Sequence, residues 1–232
     1  MNVLDKLKAI KLHKEHFTDT SEFLIDGFLA KRMITYLWAD GGNGKSFLAQ
    51  AVANHLHSTR QVKHTIYIDL DNPLNALNDR KLDELLIDKF EALDYIHRSK
   101  LDMTGLELLE LLSEGATAGA YADWLIVYDS LRDIVDVNND LRTMRAFELM
   151  KNIREAGATQ LVLGHANKDG KNYQGSNNIR NSVDCMFRHR KVKETATSLE
   201  FALSAQKERA GVRDCAWHVD TTDFTLTPME YR

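Results

Sequence analysis

Two rhythms alternate along the chain. Residues 33–38, 65–71, 124–130 and 160–165 form short runs that are apolar at most positions. Such runs predict strands buried on both faces, because a strand with one wet face alternates apolar and polar residues. Three of the four runs end on polar residues: Asp69 and Asp71, Asp129, and His165. Between and after them lie segments with helical apolar spacing, at 47–56, 74–92, 104–112 and 140–156. Gly157 stops the last helix, and Asn72 with Pro73 ends the second strand. Residues 95–97 add a short strand candidate. Strands alternating with helices predict an α/β fold, a mainly parallel sheet flanked by helices on both faces.

The two ends of the chain depart from this rhythm. Residues 185–191, 198–205, 216–219 and 224–227 are strand candidates with no helix between them, which predicts a C-terminal antiparallel extension of the sheet. Residues 1–17 read as a helix, with Val3, Leu4, Leu7, Ile10 and Leu12 on a rough apolar stripe and Lys6, Lys8, Lys11, His13 and Lys14 around it. Thr18, Asp19, Thr20 and Ser21 break that helix with capping chemistry. Residues 23–29 lead into the first buried strand. The expected organisation is an N-terminal helical arm, 1–20, docked on the domain or on a neighbouring subunit, followed by one domain, 21–232.

Composition bounds the answer. With 232 residues, 44% hydrophobic and 28% charged, the chain suits one sizeable globular α/β domain. Only 2 prolines and no low-complexity tract argue against long disordered linkers. Cys185 and Cys215 lack metal-ligand spacing and read as inert thiols in a reducing cytoplasm. There is no leader-like apolar segment and no apolar run of membrane length, so a soluble cytoplasmic protein without a membrane partner is expected. The net charge of −4 gives no overall attraction to nucleic acid, so any such binding needs a local patch.

Chemistry concentrates between the first strand and the first long helix. That turn reads Ala39, Asp40, Gly41, Gly42, Asn43, Gly44, Lys45, Ser46, and the helix continues from Phe47. A strand, a glycine-rich turn and a helix opening on Lys-Ser are the context of a phosphate-binding P-loop. Glycines let the backbone wrap an anion closely. The N–H groups of Gly41, Gly42, Asn43, Gly44, Lys45, Ser46 and Phe47, with the helix N-terminus, then point at phosphate. Lys45 reaches the β- and γ-phosphates and Ser46 ligates Mg²⁺. The motif departs from its usual form in one place, with Ala39 where a first glycine is common.

Ligands of open α/β sheets sit beyond the carboxyl ends of the strands, so the polar strand ends belong with the P-loop. Asp129 is placed for the second Mg²⁺-associated position, or else caps the helix that follows. Asp69 or Asp71 is placed to act on an attacking water as a general base, or else both are solvated turn acids. His165 is placed to sense a γ-phosphate, or else is a structural histidine.

Four blocks, 39–46, 66–71, 125–130 and 161–176, together resemble the RecA-like ATPase core, and within it hexameric helicases of the plasmid RepA and DnaB type. The resemblance spans roughly residues 24–220. The run from Leu161 to Lys168 followed by Gln174, Gly175 and Ser176 is its most discriminating part. The resemblance implies ATP as substrate with Mg²⁺, Asp129 as the Walker B acid, His165 as a sensor and Asp71 in place of the catalytic glutamate. Aspartate is one methylene shorter, which implies slow hydrolysis. It also implies a homo-oligomer, a hexamer, in which the Lys-x-Arg pair Lys207 and Arg209 completes a neighbour's site. The loops 131–139 and 169–180 would face a central channel. In the second, Lys171 and Arg180 suit phosphates of single-stranded DNA and Tyr173 a base. The function implied is an ATP-hydrolysing motor on DNA in replication. The alternative is an ATP-dependent regulatory switch or loader with slow hydrolysis and no unwinding.

Overall fold

The computed structural model describes residues 2–17 and 20–231. The expected α/β architecture is present: helices flank a nine-stranded sheet that is parallel through most of its width and antiparallel at its C-terminal edge. Along the sheet the P-loop strand β3 (Ile34–Ala39) lies between β7 (Thr159–His165) and β8 (Cys185–Glu194). Beyond β7 come β6 (Trp124–Asp129), β4 (His64–Asp69) and β5 (Leu93–His97), all parallel. On the other side β8 runs parallel to β3, then pairs antiparallel with β9 (Ser198–Lys207), followed by β10 (Cys215–Asp220) and β11 (Leu226–Met229). A separate small ribbon, β1 (Phe23–Ile25) with β2 (Leu29–Ala30), precedes β3.

Side-chain alternation sorts the central strands between two cores. Leu37, Tyr67, Leu125, Val127, Leu161 and Leu163 pack with α2 (Lys45–Ser58). Tyr36, Trp38, Ile66, Ile68, Ile126, Tyr128 and Val162 pack on the opposite face with α4 (Gly105–Glu114) and α6 (Asp140–Glu155). Both faces are covered, which is why the strands read as continuous apolar runs.

Three local expectations are corrected. The helix expected over 74–92 is instead α3 (Leu74–Asp79) and a π-type turn, Asp83–Ile87, because Lys81 between them adopts a left-handed φ of 53°. Residues 169–180 are not wholly loop: Asn178 opens a short helix, α7 (Asn178–Ser182). The arm is helical only over α1 (Val3–Ala9), with a 3₁₀ turn at Lys14–His16. Its stripe is uncovered, Val3, Leu4, Leu7 and Ile10 each being more than half exposed, and an isolated helix without packing is marginal beyond its capped first turns. Thr18 and Asp19 of the expected break, and Met1 of the expected helix, lie outside the described residues.

Candidate functional site

Strand register aligns the polar strand ends. Asp69 of β4 is level with Asp129 of β6, and Ala39 of β3 is level with His165 of β7. The P-loop closes over this edge, and the two form a cleft of about 490 Å³. Lys45, Ser46, Phe47, Asp71, Asn72, Arg80, Asp129, Arg132, His165 and Gln174 all line it.

In the loop, Gly42 and Gly44 have φ of 72° and 79°, a region costly for residues with a Cβ. A Cβ on Gly44 would also lie 2.9 Å from the Phe201 ring of β9. Ala39 is different: it ends β3 in extended conformation, so the position usually held by glycine tolerates a methyl group here. The Lys45 ammonium is buried and folds back onto its own loop, donating to the Ala39 and Asp40 carbonyls at 3.1 and 3.0 Å. Burial lowers its pKa. Asn43 Nδ2 donates to the Asp40 carbonyl, while Asn43 Oδ1 accepts from the Lys191 backbone N–H. Phe47 lies beneath the Arg80 guanidinium, 4.3 Å from its ring centre.

Two buried carboxylates, Asp69 and Asp129, lie level at the ends of β4 and β6, and Asp129 lines the cleft. Asp129 accepts from Tyr67 Oη at 3.2 Å and from Asn72 Nδ2 at 3.3 Å. Asp69 accepts from Tyr95 Oη at 2.6 Å and from the Asn72 backbone and side chain. Burial, then the charge of Asp69, pushes Asp129 up to about 7. A carboxylate held so high is short of positive charge, and Ser46 Oγ lies beside it within reach of Asn72 Nδ2 at 3.3 Å. This donor set fits Mg²⁺, which takes one or two protein oxygens and completes its shell from phosphate and water. The described residues hold no cluster of three or more His, Cys, Asp or Glu placed to hold a metal ion. When bound, the ion would neutralise charge on phosphate oxygens. Ser46 and Asp129 would hold it.

Asp71 lines the cleft but does not stand alone. Its Oδ1 accepts from Arg132 Nη2 at 2.9 Å, and its Oδ2 lies 3.6 Å from His165 Nε2. His165 and Arg132 hold Asp71 well below the usual carboxylate range. It therefore remains ionised and is a weak proton acceptor, suited to orienting a water rather than keeping its proton.

The remaining sequence candidates stand apart from this cleft. Lys207 Nζ donates to the carbonyls of Arg180, Asn181 and Val183, satisfying the end of α7. Arg209 Nη1 pairs with Asp184 at 3.3 Å. Lys171 is exposed, and Arg180, on α7, donates to the Gln206 carbonyl at 2.9 Å. Tyr173 is half-buried, edge-on to Tyr36 and Trp38 with ring centres 6.0 and 6.3 Å away, so stacking on a base would require it to leave them. Sequence reading gave Asn72, Arg80 and Tyr95 no role in the cleft, and it put Arg132 in a channel loop whose acids Asp133, Asp136 and Asp140 suit DNA poorly. A usable signal existed for Arg132, three residues past the strand-end acid Asp129 at a sheet edge already singled out. None existed for Tyr95, whose contact with Asp69 depends on β5 pairing with β4.

The fold these elements define is RecA-like. Flagellar accessory protein FlaH from Methanocaldococcus jannaschii, seen in a crystal structure, matches with a TM-score of 0.59 over 89% of this chain and 93% of that one. The two are 16% identical, so the likeness is one of fold. No protein-family model matches the sequence, and no curated protein matches it. Among the described residues no helix is long and apolar enough to cross a membrane.

Proposed function

We propose that the chain is a Mg²⁺-dependent ATPase, and that it works as a RepA- or DnaB-type motor on single-stranded DNA, assembled as a homo-oligomeric ring. The observation that carries the ATPase reading is the convergence of Lys45, Ser46, Asp129 and Asp71 on one cleft at the carboxyl edge of the sheet. Phosphate, metal and water each have a protein group there. The DNA reading draws on the resemblance of the four sequence blocks, and on exposed Lys168, Lys171, Arg180, Arg188 and Arg190 in an otherwise acidic chain. Lys207 and Arg209 enter this reading as interface cations that must first leave their partners within the subunit.

A second reading, an ATP-dependent regulatory switch, is favoured by the engagement of Asp71 with Arg132 and His165, which suits slow hydrolysis. ATP turnover with and without single-stranded DNA, measured beside the oligomer mass, separates the two. A motor is expected to form a ring whose turnover DNA accelerates. Slow turnover indifferent to DNA supports the switch, and no turnover at all removes both.

A further inference from the structure

Arg132 sits on α5 (Leu131–Ile134), the single turn that follows β6 and its Asp129. Its guanidinium reaches across the mouth of the cleft to Asp71, which follows β4. A second contact, Nε to Asp133 Oδ2 at 3.6 Å, steadies it on its own turn. Lys45 marks where the terminal phosphates of a nucleotide lie. Both Asp71 and Arg132 are near enough to act on its charge. The Arg132 side chain is 44% exposed, so its end can move without disturbing the core.

We propose that Arg132 is a γ-phosphoryl ligand supplied within the same subunit, and that Asp71 is its resting partner. This rests on reading the cleft as an ATPase site. A triphosphate places more negative charge beside Lys45 than Asp71 carries, and it presents oxygens that the guanidinium fork pairs with. Arg132 then leaves Asp71 for the γ-phosphoryl group. The exchange provides a cation for charge on the transferring group and frees Asp71 Oδ1 to accept a hydrogen bond from the attacking water. The water oxygen bonds the γ-phosphorus, and the bond from that phosphorus to the bridging oxygen breaks with its electron pair going to ADP. The water protons leave with inorganic phosphate and to solvent. A diphosphate has no γ-phosphoryl group, so with ADP the Arg132–Asp71 pair stays closed.

The test compares wild type, Arg132→Ala, Arg132→Lys and Asp71→Asn for affinity to ADP and to a non-hydrolysable ATP analogue, and for turnover. Arg132→Ala is expected to keep ADP affinity, to lose about tenfold in analogue affinity, as for one charge-assisted hydrogen bond, and to lose about 10³-fold in turnover. Arg132→Lys should recover part of the analogue affinity and covers the case where the alanine variant does not fold. Asp71→Asn should bind the analogue more tightly than wild type while turning over more slowly, because its side chain no longer competes for the guanidinium. An Arg132→Ala protein with the wild-type ratio of analogue to ADP affinity would overturn the proposal, as would one that loses both ligands equally. Wild type that binds neither nucleotide removes the ATPase reading itself.

Discussion

At Asp71 the carboxylate is one methylene shorter than glutamate and already accepts from Arg132 on Oδ1, with His165 Nε2 3.6 Å from Oδ2. Its contribution should nonetheless show in turnover: Asp71→Asn is expected to lower hydrolysis by about 10²–10⁴-fold with nucleotide still bound, measured by steady-state phosphate release. Asp129 behaves differently because burial raises its pKa toward 7. A raised carboxyl contributes stability below its unfolded value near 4 and loses it as pH rises through 7. A cation competes with that proton. The increase in melting temperature given by Mg²⁺-ADP is therefore expected to grow from pH 5.5 to 8, and to be nearly flat with pH in Asp129→Asn. Growth with pH that survives in the variant would place the competing proton elsewhere. The place of Asp129 at this cleft was legible from its position at the end of an apolar run, and that of Lys45 and Ser46 from the motif. The Asp71 clamp was not, because its partners come from β7 and α5, about 90 and 60 residues further along the chain.

Among the elements, β8 carries a buried histidine under the P-loop. His189 packs edge-on to Phe201 with ring centres 4.5 Å apart, and burial, with the charge of Lys45 nearby, pushes its pKa to about 3. A histidine kept neutral in the fold but free to charge when unfolded adds stability above pH 6.5, and that stability is lost as pH falls toward 3. The slope from this group is about 1.4 kcal/mol per pH unit once below 6.5. His189→Leu is expected to flatten the acid side of the stability profile in urea unfolding at pH 5 to 8, and an unchanged slope would contradict the burial argument. Elements with strong periodicity, α2, α4, α6 and the parallel strands, were readable from sequence. The break at Lys81 was not, since nothing in its residue type demands a left-handed φ. Nor was α7, whose five residues are too few to show a period and whose end depends on Lys207 from β9.

For the whole molecule, the alternation of strand and helix was enough to anticipate the parallel sheet, and the helix-free last third its antiparallel edge. The strand order was not available, because it decides which strand ends become neighbours and no local pattern encodes that. Assembly carries two expectations. If Arg132 supplies the cation within the subunit, Arg209→Ala should keep basal turnover and lose only the part stimulated by DNA in the assembled ring. Single-stranded DNA binding, measured over a salt series with a non-hydrolysable ATP analogue, should weaken steeply with salt through counterion release. Lys171→Ala combined with Arg180→Ala should flatten that slope while basal turnover stays near normal. No binding at low salt by the assembled protein would favour the switch over the motor.

The claim on which the rest depends is that the P-loop cleft binds and hydrolyses ATP. Its most direct test is nucleotide affinity and turnover of wild type beside Lys45→Ala, with both proteins shown to melt at similar temperatures. Mg²⁺-dependent turnover is expected in the wild type, with ATP binding or turnover abolished in the variant. Equal affinity and equal turnover in the two proteins would contradict it.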